Sequence, residues 1–272
     1  MKKVVCLILM LVMVLTMLPI ALAEETAAPE VTAAVQEETE TTEAEAETEA
    51  EAEEEEEPAL QRMFGDLAKA HWYTWAIVIV LVVLAVVFFV NNKQNWTSRR
   101  LSYAAMCISI SFVLSCIKIF RMPQGGSVTP AAMLPLIMFA LACGPVQGLA
   151  VGCAYGILQL IEDPYIIHPI QLLCDYPLAF GAMILCCLAN LIPEKARYLR
   201  LPVAVVLAYF ARLVMATFSG VVFFAEYAGD QNVFTYSLLY NLSYLGWETL
   251  VAVVISLVPG INRLPELIAK KA

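Results

Sequence analysis

The segment PIQLLCDYPLAFGAMILCCLANL, residues 169–191, runs for 23 residues with one charged side chain, Asp175. At about 1.5 Å per residue a helix of that length reaches roughly 34 Å, enough to cross the hydrocarbon core of a bilayer. Five more apolar stretches surround it, at about 101–120, 130–143, 146–161, 201–226 and 236–258, and another runs from Trp72 to Val90. Of the 272 residues, 61% are apolar and 15% charged, far from the balance of a soluble domain. The runs are continuous rather than alternating, which excludes a β-barrel and predicts an all-α polytopic membrane protein.

The N-terminal region has a different composition. Residues 1–23 carry Lys2 and Lys3, then an apolar run, then Ala21-Leu22-Ala23, the layout of a signal peptide. An uncleaved anchor has the same features, so both readings stay open. Residues 24–57 hold sixteen Glu and no Lys or Arg. Segment 24–70 has too little apolar surface to offset its ordering entropy and is expected to be a disordered, extracellular spacer. The glutamates of residues 24–57 also account for the net charge of −9: without residues 24–57 and the leader, nine acids face fourteen basic residues. The predicted organisation is therefore 1–23 signal peptide, 24–70 acidic segment, 71–91 extra transmembrane helix and 92–272 six-helix membrane domain.

Orientation follows from charge. Trp72, Tyr73 and Trp75 form an aromatic belt at one end of the extra span, and Lys93, Arg99 and Arg100 follow the other. Basic loops face the cytoplasm, so the mature N-terminus is expected outside and the C-terminus inside. The loop Glu194–Arg200 and the residues Arg263, Lys270 and Lys271 then also fall inside, while Lys118 and Arg121 fall on the opposite side.

Depth along the helices groups the candidate site residues. Asp175 lies about 10 Å below the outer end of its helix, and Asn241 about 7 Å below Tyr236 on the last one. Gly220 and Phe224 lie within roughly 10 Å of the outer end of theirs. An acid, a carboxamide, Tyr176, Tyr236 and an aromatic ring at one depth suit a cavity for a small cationic, ring-bearing solute. The competing reading makes Asp175 a structural acid hydrogen-bonded to adjacent helices. Ala216, Gly220 and Phe224 share a face, as do Gly148, Gly152 and Gly156, and small residues at spacing four also mark close helix packing. Arg212 and Glu248 sit near mid-bilayer on consecutive helices and are expected to pair. The eight cysteines form no CxxC pair or metal cluster and read as small packing residues. Neither a catalytic constellation, a phosphate-binding loop, a metal or cofactor site, nor a nucleic-acid-binding pattern is present, so an enzyme is not expected.

Three strings carry a family resemblance: KIFRMPQGGSVTPAAMLP (118–135), HPIQLLCDYPLAF (168–180) and RLVMATFSGVVFFAEYAGDQNVFTYSLLYN (212–241). Together, over about residues 99–262, they resemble the thiamine-specific S-component of energy-coupling-factor transporters. That resemblance implies thiamine as ligand, with Asp175, Tyr176, Gly220, Phe224, Tyr236 and Asn241 around it. It also implies a closing loop, 121–127, that brings in Gln124 and Gly125. It further implies docking onto a transmembrane coupling protein with two ATPase subunits, in the cytoplasmic membrane of a bacterium. Ala216 stands where the family carries a histidine. Two alternatives remain: an S-component for another ring-bearing solute, such as a thiamine precursor or other vitamin, and a membrane-anchored sensor or scaffold working through the acidic tail.

Overall fold

The computed structural model describes residues 96–123 and 126–272, with seven further residues between 79 and 90 that are helical and exposed. The expected signal peptide, the acidic segment, most of the extra span, and Gln124 and Gly125 lie outside the described residues.

Helix α1 is Ser98–Cys116, started by Thr97, whose side chain accepts from the Arg100 N–H at 3.2 Å. A short antiparallel hairpin follows, β1 (Phe120–Arg121) and β2 (Ser127–Val128), with Phe120 opposite Val128. Helix α2 (Leu134–Cys143) is buried along nearly its whole length, as its uniformly apolar sequence requires. The turn before it holds Ala131 at φ 60°, a left-handed conformation uncommon for a residue with a Cβ. Gly144, at φ 103°, then reverses the chain into α3 (Pro145–Glu162).

Helix α4, Pro169–Leu191, is the segment quoted at the outset. His168 caps it, its Nδ1 accepting from the Ile170 N–H at 3.1 Å, and Pro169 occupies the first turn, where no N–H is needed. The helix is irregular: a π turn at Cys174–Leu178 encloses Pro177, and a tighter 3₁₀ stretch runs from Ala182 to Leu191. Proline cannot donate to the helical ladder, and the π turn accommodates that loss. Asp175 and Tyr176 sit on this widened turn.

A short turn, Glu194–Leu199, leads into α5 (Arg200–Phe223); α6 is Val233–Ser256, capped by Asn232. Two small helices close the chain, α7 (Pro259–Asn262) and α8 (Leu264–Lys271). Among the described residues, Pro169–Leu191, Glu194–Phe223 and Val233–Ser256 are long and apolar enough to cross a membrane. Their outer faces expose Val206, Phe210, Leu239, Leu250 and Trp247, the last at 64%. The core gathers around α2, with Leu136, Ile137 and Phe139 fully buried against α5 residues such as Leu201 and Tyr209.

The glycine stripe of α3 packs as its spacing predicts. A Cβ on Gly152 would meet the Phe180 carbonyl oxygen at 2.6 Å, and one on Gly156 the Tyr176 carbonyl oxygen at 2.6 Å. Gly156 therefore lets α3 press directly against the π turn that carries the acid. The seven described cysteines are free and spread among the helix contacts. Lys118 pairs with Glu162 at 3.1 Å and with Asp163, so the ends of α1 and α3 meet there; this explains a cation at the end opposite the main basic cluster.

Candidate functional site

One cavity opens between α4, α5, α6 and the hairpin, with roughly 970 Å³ free of protein atoms, its mouth included. Asp175, Tyr176, Gly220, Phe224, Tyr236 and Asn241 all line it. The structure thus brings together six residues spread over 67 positions of sequence, from 175 to 241.

Asp175 is half-buried, and its Oδ2 accepts from Gln171 Nε2 at 2.6 Å. Gln171 lies one turn earlier on α4, the spacing at which helical side chains meet. Its Nε2 also donates to the Tyr165 carbonyl at 3.0 Å, while its Oε1 accepts from the Ile167 N–H at 3.3 Å. With its amide fully engaged, Gln171 sets the rotamer of Asp175 and ties it to the loop 163–168. Tyr176 serves that loop too: its hydroxyl donates to the Asp163 carbonyl at 2.9 Å and accepts from the Tyr165 N–H at 2.8 Å. The Tyr176 ring lines the cavity while its hydroxyl holds the wall.

Phe224, at the end of α5, stacks on Tyr165 (5.9 Å between ring centroids, 20°) and leans on Tyr227 at 6.0 Å. Tyr165 and Tyr227 approach through their hydroxyls at 3.4 Å. That contact and partial burial push the Tyr165 phenol up to about 12, so it stays protonated at neutral pH. Across the cavity Tyr236, Tyr240 and Tyr244 form a stripe along α6, with centroids 6.2 and 6.0 Å apart. Asn241 donates to the Ser237 carbonyl at 2.8 Å and accepts from Tyr244 at 2.9 Å. One N–H and one lone pair of its amide are left for a ligand.

Gly220 serves packing as well as the cavity. A Cβ there would lie 2.8 Å from Ser237 Oγ, so the glycine sets how closely α5 and α6 approach. Gly126 plays a similar part for the hairpin, since a Cβ would fall 2.8 Å from the Tyr244 ring. The hairpin thus rests on the tyrosine stripe and covers the cavity from one side.

At the floor Arg212 pairs with Glu248 at 3.4 Å, as their common depth predicts, and lies over the Phe180 ring at 4.4 Å. The other Glu248 oxygen accepts from Thr129 in the turn before α2. The cavity lining holds three acids, Glu162, Asp163 and Asp175, against Lys118 and Arg212. Arg212 is offset by Glu248 behind it, and Lys118 by two carboxylates. Negative charge is therefore in surplus, and the aromatic rings give it apolar walls, a lining that suits a flat cation.

Sequence reasoning missed Gln171, Tyr165, Tyr227, Tyr240, Tyr244 and the Lys118–Glu162 pair. The spacing of four to Asp175 and to Tyr236 would have found Gln171, Tyr240 and Tyr244. Loop residues Tyr165 and Tyr227 carry no periodic signal.

Residues 101–268 match the family model of the thiamine transporter protein. The chain belongs to that family. The thiamine transporter ThiT of Bacillus subtilis (strain 168) is 33% identical over 165 residues, covering 56% of this chain and 85% of the relative. The solved structure of ThiT from Listeria monocytogenes has the same fold, with a TM-score of 0.50, 21% identity, and coverage of 62% of this chain and 96% of that one. The relatives of this thiamine transporter family member are transporters rather than enzymes. Together with three apolar helices of crossing length, the family places the chain in a membrane.

Proposed function

We propose that this chain captures thiamine in the cavity around Asp175 as the S-component of an energy-coupling-factor transporter. The observation that carries the reading is the convergence of Asp175, Tyr176, Gly220, Phe224, Tyr236 and Asn241 on one cavity with surplus negative charge. Thiamine is a cation with two flat heteroaromatic rings. The Asp175 carboxylate offsets its charge or anchors its aminopyrimidine, held in either role by Gln171. Phe224 stacks on a ring, backed by Tyr165 and Tyr227. Tyr236 and the free half of the Asn241 amide orient by hydrogen bonds. Gln124 and Gly125, which the resemblance implies as ligand contacts, complete the proposed set. Alanine at position 216 widens the wall below Gly220.

In this reading α1 to α6 are the six membrane helices, preceded by a signal peptide, an exported acidic segment and an accessory span. The mature N-terminus lies outside and the C-terminus inside. Energy for uphill movement is assigned to a separate coupling protein with two ATPase subunits, as the resemblance to S-components implies. The outward faces of Ser102, Ala105 and Ser109 on α1 offer the close approach such docking needs.

Calorimetric titration of the purified protein with thiamine tests this, with the pyrimidine and thiazole fragments and riboflavin as competitors. Thiamine-selective binding is expected. Preference for a fragment or for riboflavin would move the assignment to another ring-bearing solute, and the absence of any binding by folded protein would overturn it.

A further inference from the structure

We propose that Arg99, Lys270 and Lys271 form a headgroup site for an anionic phospholipid at the end of the bundle opposite the cavity. This rests on the membrane-spanning reading and not on the identity of the transported ligand. Three chain segments meet at that end. Arg197 pairs with Glu266 at 2.9 Å, and Asn262 donates to the Tyr198 carbonyl at 2.9 Å, tying the α4–α5 turn to α7 and α8. A main-chain oxygen of Ala272 accepts from Thr97 Oγ1 and from Arg100 Nε, both at 3.2 Å, laying the last turn of α8 against the first turn of α1.

Residues 96–100, 194–200 and 262–272 carry eight basic side chains and two acids. Both acids are taken, Glu194 by Arg200 at 2.7 Å and Glu266 by Arg197. Arg99, Lys270 and Lys271 are exposed and have no carboxylate partner among the described residues. The contacts through Ala272 join the chain segments that carry these three residues at one end of the bundle.

An apolar shoulder lies at the same end. Trp96 is 38% exposed and stacks on Phe139, and Leu264 and Leu267 are 37% and 48% exposed. On α8 Leu264, Leu267 and Lys271 follow at spacings of three and four, so leucines and lysine share one face. A short helix with an apolar stripe and terminal lysines, beside a tryptophan, has the make-up of an element lying in the membrane interface. A free anion has no use for the shoulder. A phospholipid supplies both a phosphate for the cations and acyl chains for the leucines, and clustered bases next to membrane helices attract anionic headgroups.

The test reconstitutes the full chain in phosphatidylcholine nanodiscs with about one-third phosphatidylglycerol and counts retained lipids by native mass spectrometry. Expected is at least about ten-fold preferential retention of phosphatidylglycerol by the wild type, abolished in Arg99→Gln/Lys270→Gln/Lys271→Gln. Lys270→Gln/Lys271→Gln, confined to the tip of α8, gives a partial loss and keeps the test decisive should the triple variant misfold. Equal retention by wild type and variants overturns the proposal. So does displacement of the lipid by inorganic phosphate, which would mark a site for free anions. The readout involves no thiamine, so it succeeds or fails independently of the transport assignment.

Discussion

Gly220 and Ala131 each hold a backbone position that their neighbours dictate. Gly220→Ala drives a methyl into Ser237 Oγ at 2.8 Å, and overpacking at such a contact costs about 1–3 kcal/mol. A lower unfolding midpoint and weaker ligand binding are expected. The double variant Gly220→Ala/Ser237→Gly should recover most of the midpoint; if it does not, the clash lies elsewhere. Ala131, at φ 60°, pays a steric penalty that glycine lacks. Ala131→Gly is therefore expected to raise stability by about 0.5–1 kcal/mol. A falling midpoint in thermal unfolding would contradict the strained geometry. Gln171 gives a third residue-level expectation. Gln171→Ala removes the hydrogen bond that orients Asp175 and the two that hold loop 163–168, so calorimetry should show affinity falling by about ten-fold. Unchanged affinity would show that Asp175 needs no orientation.

Among the elements, α5 and α6 are joined at mid-depth by the Arg212–Glu248 pair, which Thr129 connects to the turn before α2. Breaking a buried pair leaves a charge without its partner, a loss of about 3–5 kcal/mol, whereas replacing both members by apolar residues costs far less. Glu248→Met alone should thus destabilise more than Arg212→Met/Glu248→Met, as read by thermal unfolding in detergent. The reverse order would mean that the pair does not hold the helices. This pairing was legible from sequence, because two opposite charges at one depth in apolar helices have few other partners. The long helices were legible for a similar reason: their apolar runs exceed bilayer thickness. The π turn at Cys174–Leu178 was not. Pro177 marks it, but whether a proline kinks, bulges or ends a helix depends on what packs against it, here Gly156 of α3. The hairpin also escaped, since two-residue strands leave too short a pattern, and its pairing depends on Gly126 meeting Tyr244.

Across the whole molecule, charge and aromatic surface are divided by function. One end carries the basic side chains and the amphipathic α8. The other carries the acidic cavity, lined by Glu162, Asp163 and Asp175 against Lys118 and Arg212. Six of the eight site residues read from sequence fall within the described part, and all six meet at one cavity. Five of them could be read because each is a polar or aromatic exception inside an apolar run, and Gly220 because it stands four positions from Phe224 on one helix face. The loop tyrosines could not, as Tyr165 and Tyr227 gain their role only when the 163–168 loop folds back onto Phe224. Thiamine binding in the cavity around Asp175 is the proposal on which the assigned function depends. Its most direct test is calorimetric titration of wild type and Asp175→Asn with thiamine, side by side, with matched helix content by circular dichroism. The substitution keeps shape and removes the charge. The prediction is an affinity loss of at least about ten-fold, on the order of 1.4 kcal/mol or more, and equal affinity for the two proteins would contradict it.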